Sequence, residues 1–197
     1  MLNYGRAEHT GVIFMTVRPY QEKDKNNVRN ICIVTAGAEN SSAKEKLFIL
    51  NLYCDYYIEQ EPQNCFVLAD DNDNAVGYIL CSENMKKYIK KTSNYRSLIK
   101  SKGIIKYLYS WGEIIAHLPA SKKCKAHLHI DILPAYQHKG YGTQLINALT
   151  DSLGAKGIHS VMLVVNSSNS NAVRFYQKNG FKSFLNFGAG ILMTKDF

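Results

Sequence analysis

A β-rich run, Ala126–Leu133, stops at Pro134, and the turn Gln137-His138-Lys139-Gly140-Tyr141-Gly142-Thr143 then opens a helical pattern from about Tyr141 to Leu153. No other segment narrows the fold so far, because a strand feeding a helix through a glycine-bearing turn builds an anion cradle. Backbone N–H groups at a helix start lack intrahelical partners, and the helix dipole favours negative charge there. Gly140 and Gly142 let the backbone approach a bulky pyrophosphate and take conformations closed to other residues. Lys139 adds charge at the rim, and Pro134 ends ladder donation and helps turn the chain. Glycines at such a turn also serve as plain turn formers. The turn lacks the third glycine of the dinucleotide fingerprint and the G-K-[ST] of a P-loop, so neither of those sites is indicated.

The flanking segments alternate between strand and helix patterns. Val12–Arg18 reads as a first strand ended by Pro19, and Asp24 then caps a helix to about Ala36, with Val28, Ile31 and Val34 at helical spacing. A second helical pattern runs from about Ser42 to Glu59, with Leu47, Leu50 and Cys54 on its apolar face. Cys65–Ala69 and Ala75–Ser82 flank the polar run DDNDN and predict an antiparallel hairpin. Residues 83–125 form a distinct block, with eleven Lys/Arg against only Glu83 and Glu113, interleaved with Tyr88, Tyr95, Tyr107, Tyr109 and Trp111. Two or three short inserted helices are predicted there. Beyond the cradle helix come a strand at His159–Val165, a helix at Asn171–Lys178, and short strands at Phe181–Leu185 and Gly190–Thr194. This order predicts an α/β or α+β layer around one mixed sheet.

A length of 197 residues suits one domain, placed at 15–197, with 1–14 as a leader or extension because MTVRPYQEKD begins a natural start at Met15. The opening has no signal-peptide pattern, and no apolar run approaches the roughly 20 residues of a membrane helix. The five cysteines are odd in number and widely spaced, without a C-x-x-C pair or a His/Cys cluster. They read as reduced cytoplasmic thiols, with neither a disulfide framework nor a metal site. The net charge of +8 asks for a polyanionic partner, a role that coenzyme A and nucleic acid both fill, or for a solubility explanation.

Two motifs carry a specific likeness. Gln137-x-x-Gly140-x-Gly142 resembles the Q/R-x-x-G-x-G/A pyrophosphate loop of the GNAT family of N-acetyltransferases. Asn169-x-x-Ala172-x-x-Phe175-Tyr176-x-Lys178-x-Gly180-Phe181 resembles that family's N-x-x-A-x-x-[LF]-Y-x-K-x-G-F segment. They fall in the family's order, separated by a helix and a strand. The resemblance implies a mixed, mostly antiparallel central sheet flanked by helices and splayed at the strand before the pyrophosphate loop. It implies acetyl-CoA as the acyl donor and direct transfer to a primary amine, small-molecule or peptide, in a ternary complex. It assigns cofactor contacts to Ile132 and its backbone, to His138, Lys139, Tyr141 and Thr143 beside Gln137, Gly140 and Gly142, and to Asn169, Ala172 and Tyr176. Tyr176 would protonate the leaving thiolate, and a backbone N–H near Ile132 would polarise the thioester carbonyl. Homodimers are common in the family. The run His127–Pro134 resembles bacterial relatives of the acetyltransferase-like domain attached to O-GlcNAcases, some of which are catalytically silent. A non-catalytic coenzyme A sensor of the same fold therefore stays open.

Several residues admit two readings. His127, His129 and Asp131 alternate along one strand, so they share a face opposite Leu128, Ile130 and Ile132. They form either a catalytic group, with Asp131 or His129 as general base, or a hydrogen-bonded structural network. Glu83 is a further candidate base. Asn169 either anchors the cofactor or caps a helix. The basic block 83–125 is either a wall of the acceptor pocket or a solvated helical face. It carries none of the nucleic-acid-binding signatures, which leaves a nucleic-acid module as the weakest alternative.

Overall fold

The computed structural model describes residues 15–197. The expected leader at 1–14, and the first residues of the strand predicted to begin at Val12, lie outside the described residues. The elements are β1 (Thr16–Pro19), α1 (Lys25–Thr35), α2 (Ala43–Tyr53), α3 (Asp55–Gln60), β2 (Phe66–Ala69) and β3 (Ala75–Ser82). There follow α4 (Met85–Lys91), α5 (Ser93–Lys100), α6 (Ile104–His117), β4 (Ala126–Ile132) and α7 (Tyr141–Ala155). The chain closes with β5 (Ser160–Asn166), α8 (Ser170–Lys178), β6 (Lys182–Asn186) and β7 (Gly190–Asp196).

The strands form one sheet in the order β1-β2-β3-β4-β5-β7-β6. Every neighbouring pair is antiparallel except β4 and β5. Those two run parallel and pair only at Ala126↔Val161 and His127↔Met162. β4 keeps its register with β3 as far as Gly77↔Ile132, while β5 stays with β7 from Ser160↔Asp196 to Asn166↔Gly190. The sheet is therefore mixed, mostly antiparallel and split between β4 and β5, as the family resemblance implied.

Two apolar clusters cover its faces. Under α7, the side chains of Leu145, Ile146, Leu149 and Leu153 are completely buried with Leu68, Ile79, Val161 and Met193. Their helical spacing turns one stripe of α7 onto the sheet, each side chain contributing about 1.5–3 kcal/mol. The opposite cluster joins α1, α2 and α3 to Tyr78, Leu80, Met162 and Leu192. All five cysteines are free and buried.

Some local expectations change. The predicted helix 42–59 is broken at Cys54, whose φ of −130° and ψ of −65° lie outside helical values, giving α2 and α3. Ser42 caps α2 by accepting from Glu45 N at 3.3 Å, but Leu47 is exposed rather than on the buried stripe. Asp24 makes no side-chain cap to α1, because its carboxylate accepts from Gln21 N at 2.9 Å and binds Arg18 at 2.7 and 2.8 Å. The basic block folds into three helices, α4, α5 and α6.

Candidate active site

Where β4 leaves β5, half of its backbone loses its ladder. Leu133 N donates to Val76 O at 2.9 Å, so Leu133 faces β3 and the preceding Ile132 turns its own N–H and C=O toward the gap. Ile130 faces the same way by alternation. An extended ligand laid in this opening meets unpaired backbone groups, as another strand would. The Ile132 carbonyl is already engaged, accepting from Gln137 Nε2 at 2.7 Å. The side chain of Gln137, expected on the cofactor, thus ties the turn to the strand end.

The turn has the conformation of an anion cradle. His138 has φ of 62° and Gly140 φ of 83°, both left-handed, and α7 starts at Gly140 with no side-chain cap. Left-handed residues between ordinary ones gather successive N–H groups into a concavity that suits phosphate oxygens. Lys139 Nζ donates back to Ala135 O at 3.1 Å, keeping its charge beside the turn. Tyr141 is half-buried, and Thr143 N is used within the first turn, on Gly140 O at 3.1 Å. Gly142 differs from its expectation. It lies inside α7 without a positive φ, and a Cβ there would come within 2.8 Å of the Phe175 ring. Its missing side chain admits α8 against α7. This uncapped, glycine-rich turn beside an open strand edge fits a ligand with a pyrophosphate and an extended amide arm.

The polar face of β4 points at α1, α2 and α6. His127 is buried, with Nε2 2.9 Å from the Tyr57 hydroxyl and Nδ1 without a partner. Half-buried His129 packs edge-on against Tyr53 and Tyr57, with ring centroids 5.4 and 5.3 Å away. Burial, helped by His117, lowers its pKa to about 3, so it is neutral at physiological pH and a weak base. Asp131 is different. Tyr78 donates its hydroxyl to Oδ2 at 2.6 Å, yet burial still lifts the carboxyl to about 6. A carboxylate poised near neutrality is the better-matched proton acceptor.

Tyr176, on α8, packs against Phe181 with ring centroids 5.5 Å apart. Burial, and then the Asp131 charge, push its phenol well above the usual range, so it keeps its proton. Asn169 is a helix cap, accepting from Ala172 N at 3.0 Å, and half-buried Ala172 packs on the α7 side. Glu83 is not brought to the site. The register pairs Ser82 with His127, so Glu83 lies beyond the opposite end of β4 from Asp131, beside Lys87 at 3.6 Å.

Sequence reasoning missed Tyr78, Tyr57 and Tyr53 as site residues, and did not place Glu113 and His117 there. Glu113 is half-buried on α6, accepting from the Tyr53 hydroxyl at 3.3 Å. His117 is buried one helical turn later, 5.2 Å from His127 between ring centroids. A signal existed for Glu113, as one of two acids in a basic block. The tyrosines carried none, since a tyrosine in an apolar run reads as core.

The acetyltransferase (GNAT) family matches residues 35–181. This chain belongs to that family. Over 74 residues it is 39% identical to the mycothiol acetyltransferase of Renibacterium salmoninarum, covering 37% of this chain and 22% of that protein. Over 48 residues it is 42% identical to the [ribosomal protein bS18]-alanine N-acetyltransferase of Haemophilus ducreyi, covering 24% of this chain and 33% of that protein. The chain thus spans a third or less of the curated relatives it matches. Among solved structures, SsHAT superposes with a TM-score of 0.82 at 26% identity, over 92% of this chain and 98% of that one. The PaiA N-acetyltransferase of Thermoplasma acidophilum, solved with coenzyme A, shares the GNAT fold with a TM-score of 0.59 at 17% identity, covering 93% and 99%.

Proposed function

We propose that this GNAT-family chain is an acetyl-CoA-dependent N-acetyltransferase that acetylates a primary amine by direct attack, with Asp131 as general base and Tyr176 as acid. The observation that carries the reading is the Asp131 carboxyl, lifted to about 6 beside the β4/β5 opening and close enough to raise the Tyr176 phenol. Bound acetyl-CoA supplies the activated thioester. The turn Gln137–Thr143 holds its pyrophosphate on N–H groups, while the Ile130 and Ile132 edge of β4 orients its amide arm. Ile132 N–H, turned into the gap, meets the developing oxyanion. Asp131 takes a proton from the acceptor's ammonium, freeing the nitrogen to bond to the carbonyl carbon as the C–S bond breaks. Tyr176 gives its proton to the departing sulfur and regains one from the acceptor nitrogen, so one proton is released per turnover. His129 is neutral and holds Tyr53 and Tyr57 in place.

Free thiols at every cysteine are consistent with a cytoplasmic setting. No described helix is long and apolar enough to cross a membrane. The test is calorimetric titration with acetyl-CoA and CoA, with dephospho-CoA and ATP as controls, followed by thiol release with a panel of amines. One-to-one binding of the CoA compounds and amine-dependent thiol release support the proposal. Binding without thiol release for any amine would leave a coenzyme A sensor instead.

A further inference from the structure

Helix α6 is amphipathic with its two faces reversed. Lys106, Ser110, Glu113 and His117 follow one another at helical spacing and turn toward the domain. Ser110 and His117 are buried, Lys106 pairs with Glu45, and Glu113 accepts from the Tyr53 hydroxyl. At about 100° per residue, the opposite arc carries Ile104, Ile105, Leu108, Gly112 and Ile115. Ile105 is 80% exposed, Leu108 62%, Ile104 59% and Ile115 58%. A continuous apolar stripe on a helix ordinarily faces a core. Here it forms an outward ridge about 17 Å long, at 1.5 Å per residue. Lysines close both of its ends. At the start, Lys102 stands two residues before the helix, and Lys100 Nζ lies 5.7 Å from the Tyr107 ring centroid. At the other end the ridge runs on to exposed Leu118, which shares a cleft with Ile89, Lys86, Lys122 and Lys125. The block's two acids do not offset this charge, because Glu83 pairs with Lys87 at 3.6 Å and Glu113 points inward.

An apolar ridge between cationic ends complements a surface that is anionic outside and apolar beneath. We propose that α6 docks this protein on an anionic lipid bilayer, with the ridge in the headgroup–acyl boundary and the lysines among the phosphates. Charge argues against a second copy on this face, since a two-fold contact through the ridge would bring both sets of lysines together. Nucleic acid is read through arginine and aromatic platforms. The block's one arginine, Arg96, is instead buried and stacked on Trp111 at 4.7 Å, and the ridge is aliphatic. A helical protein partner needs a groove. Ile104, Ile105, Leu108 and Ile115 stand out from the surface and line neither the cleft at Leu118 nor the one at Lys87, Lys90 and Lys91. A fluid bilayer covers a convex ridge without one.

The test is co-sedimentation of the full chain with vesicles of phosphatidylcholine alone and of phosphatidylcholine with about one-third phosphatidylserine. The mixed vesicles should retain about tenfold more protein or better, and added salt should weaken the binding. Ile105→Ser with Leu108→Ser should cut binding about tenfold even at low salt, because it removes apolar area and no charge. Lys122→Glu with Lys125→Glu should also weaken binding and flatten its salt dependence. All four positions are exposed, so thermal unfolding of both double variants should match that of the native chain. Absence of binding to the mixed vesicles overturns the proposal, as does binding that either double variant leaves intact. Loss with the lysine pair alone is the pattern of a nucleic-acid surface. A native dimer in sedimentation velocity, dissociated by Ile105→Ser with Leu108→Ser, assigns the ridge to a second copy instead. Thiol release is read without lipid, so a failure of acetyl transfer and a failure of docking are told apart.

Discussion

Tyr78 donates its hydroxyl to Asp131 Oδ2 at 2.6 Å, and the two residues are register partners on β3 and β4. The phenol is fully buried while the carboxyl is half-buried at the mouth of the β4/β5 opening. The hydrogen bond favours the ionised carboxylate and burial opposes it; burial is the larger effect, leaving the pKa at about 6. Asp131 is thereby ionised at neutral pH yet still basic enough to take a proton.

This balance predicts a pH profile. An essential base must be deprotonated, so kcat/KM should rise as pH climbs through about 6. Tyr78→Phe removes the larger of the two hydrogen bonds, from Tyr78 and Thr35, that lower the pKa, and the rising limb should move to higher pH. Asp131→Asn should remove the limb and lower the rate by about 10²–10⁴-fold. Initial-rate profiles between pH 5 and 9 check all three, and an unmoved limb in Tyr78→Phe would separate it from Asp131.

Tyr176→Phe tests the proposed acid. The phenyl ring keeps the packing against Phe181 while the hydroxyl is lost. Turnover should fall about 10²-fold or more with acetyl-CoA affinity nearly unchanged. Stopped-flow rates beside calorimetric affinities make the comparison, and equal turnover takes Tyr176 out of the mechanism.

Gly142→Val probes packing as well as the cradle. Its Cβ would meet the Phe175 ring at 2.8 Å, so the ring, or α8 with Tyr176 on it, must shift. The expected result is a loss of about 1–3 kcal/mol in stability together with weaker acetyl-CoA binding. Urea unfolding and calorimetry read the two effects, and Phe175→Leu in the same chain should restore part of the stability.

Tyr57→Phe addresses the buried pair beneath the site. His127 Nε2 would lose its partner while Nδ1 already has none, leaving a buried imidazole without a protein hydrogen bond. Destabilisation of about 1–3 kcal/mol is expected in urea unfolding. A neutral result would mean that another group already satisfies the ring.

The strand–turn–helix unit at Ala126–Leu153 was legible because its signals are local. Strand alternation fixed which face His127, His129 and Asp131 share, and the glycines marked where the chain must turn. The residues behind Asn169 were also legible, although whether its side chain capped a helix or held a ligand was not, since both uses need the same oxygen. The break at Cys54 escaped notice because no proline or glycine marks it. Gln137 was identified as important from its motif, but its bond to Ile132 O depends on how the turn folds back over the strand end.

By itself, the sequence determined most of the order of strands and helices, the two faces of β4 and the place of the glycine-bearing turn, because each follows from spacings of a few residues. Tertiary structure alone decided at which residue β4 and β5 part, just after His127, that the Asp131 carboxyl rather than the His129 ring is held near neutrality, and that Glu113 accepts from Tyr53. Those outcomes depend on burial and on contacts between residues far apart in the chain, such as Tyr78 with Asp131 and Tyr53 with Glu113. Desolvation and charge act through space, and no local pattern encodes the distance between two strands.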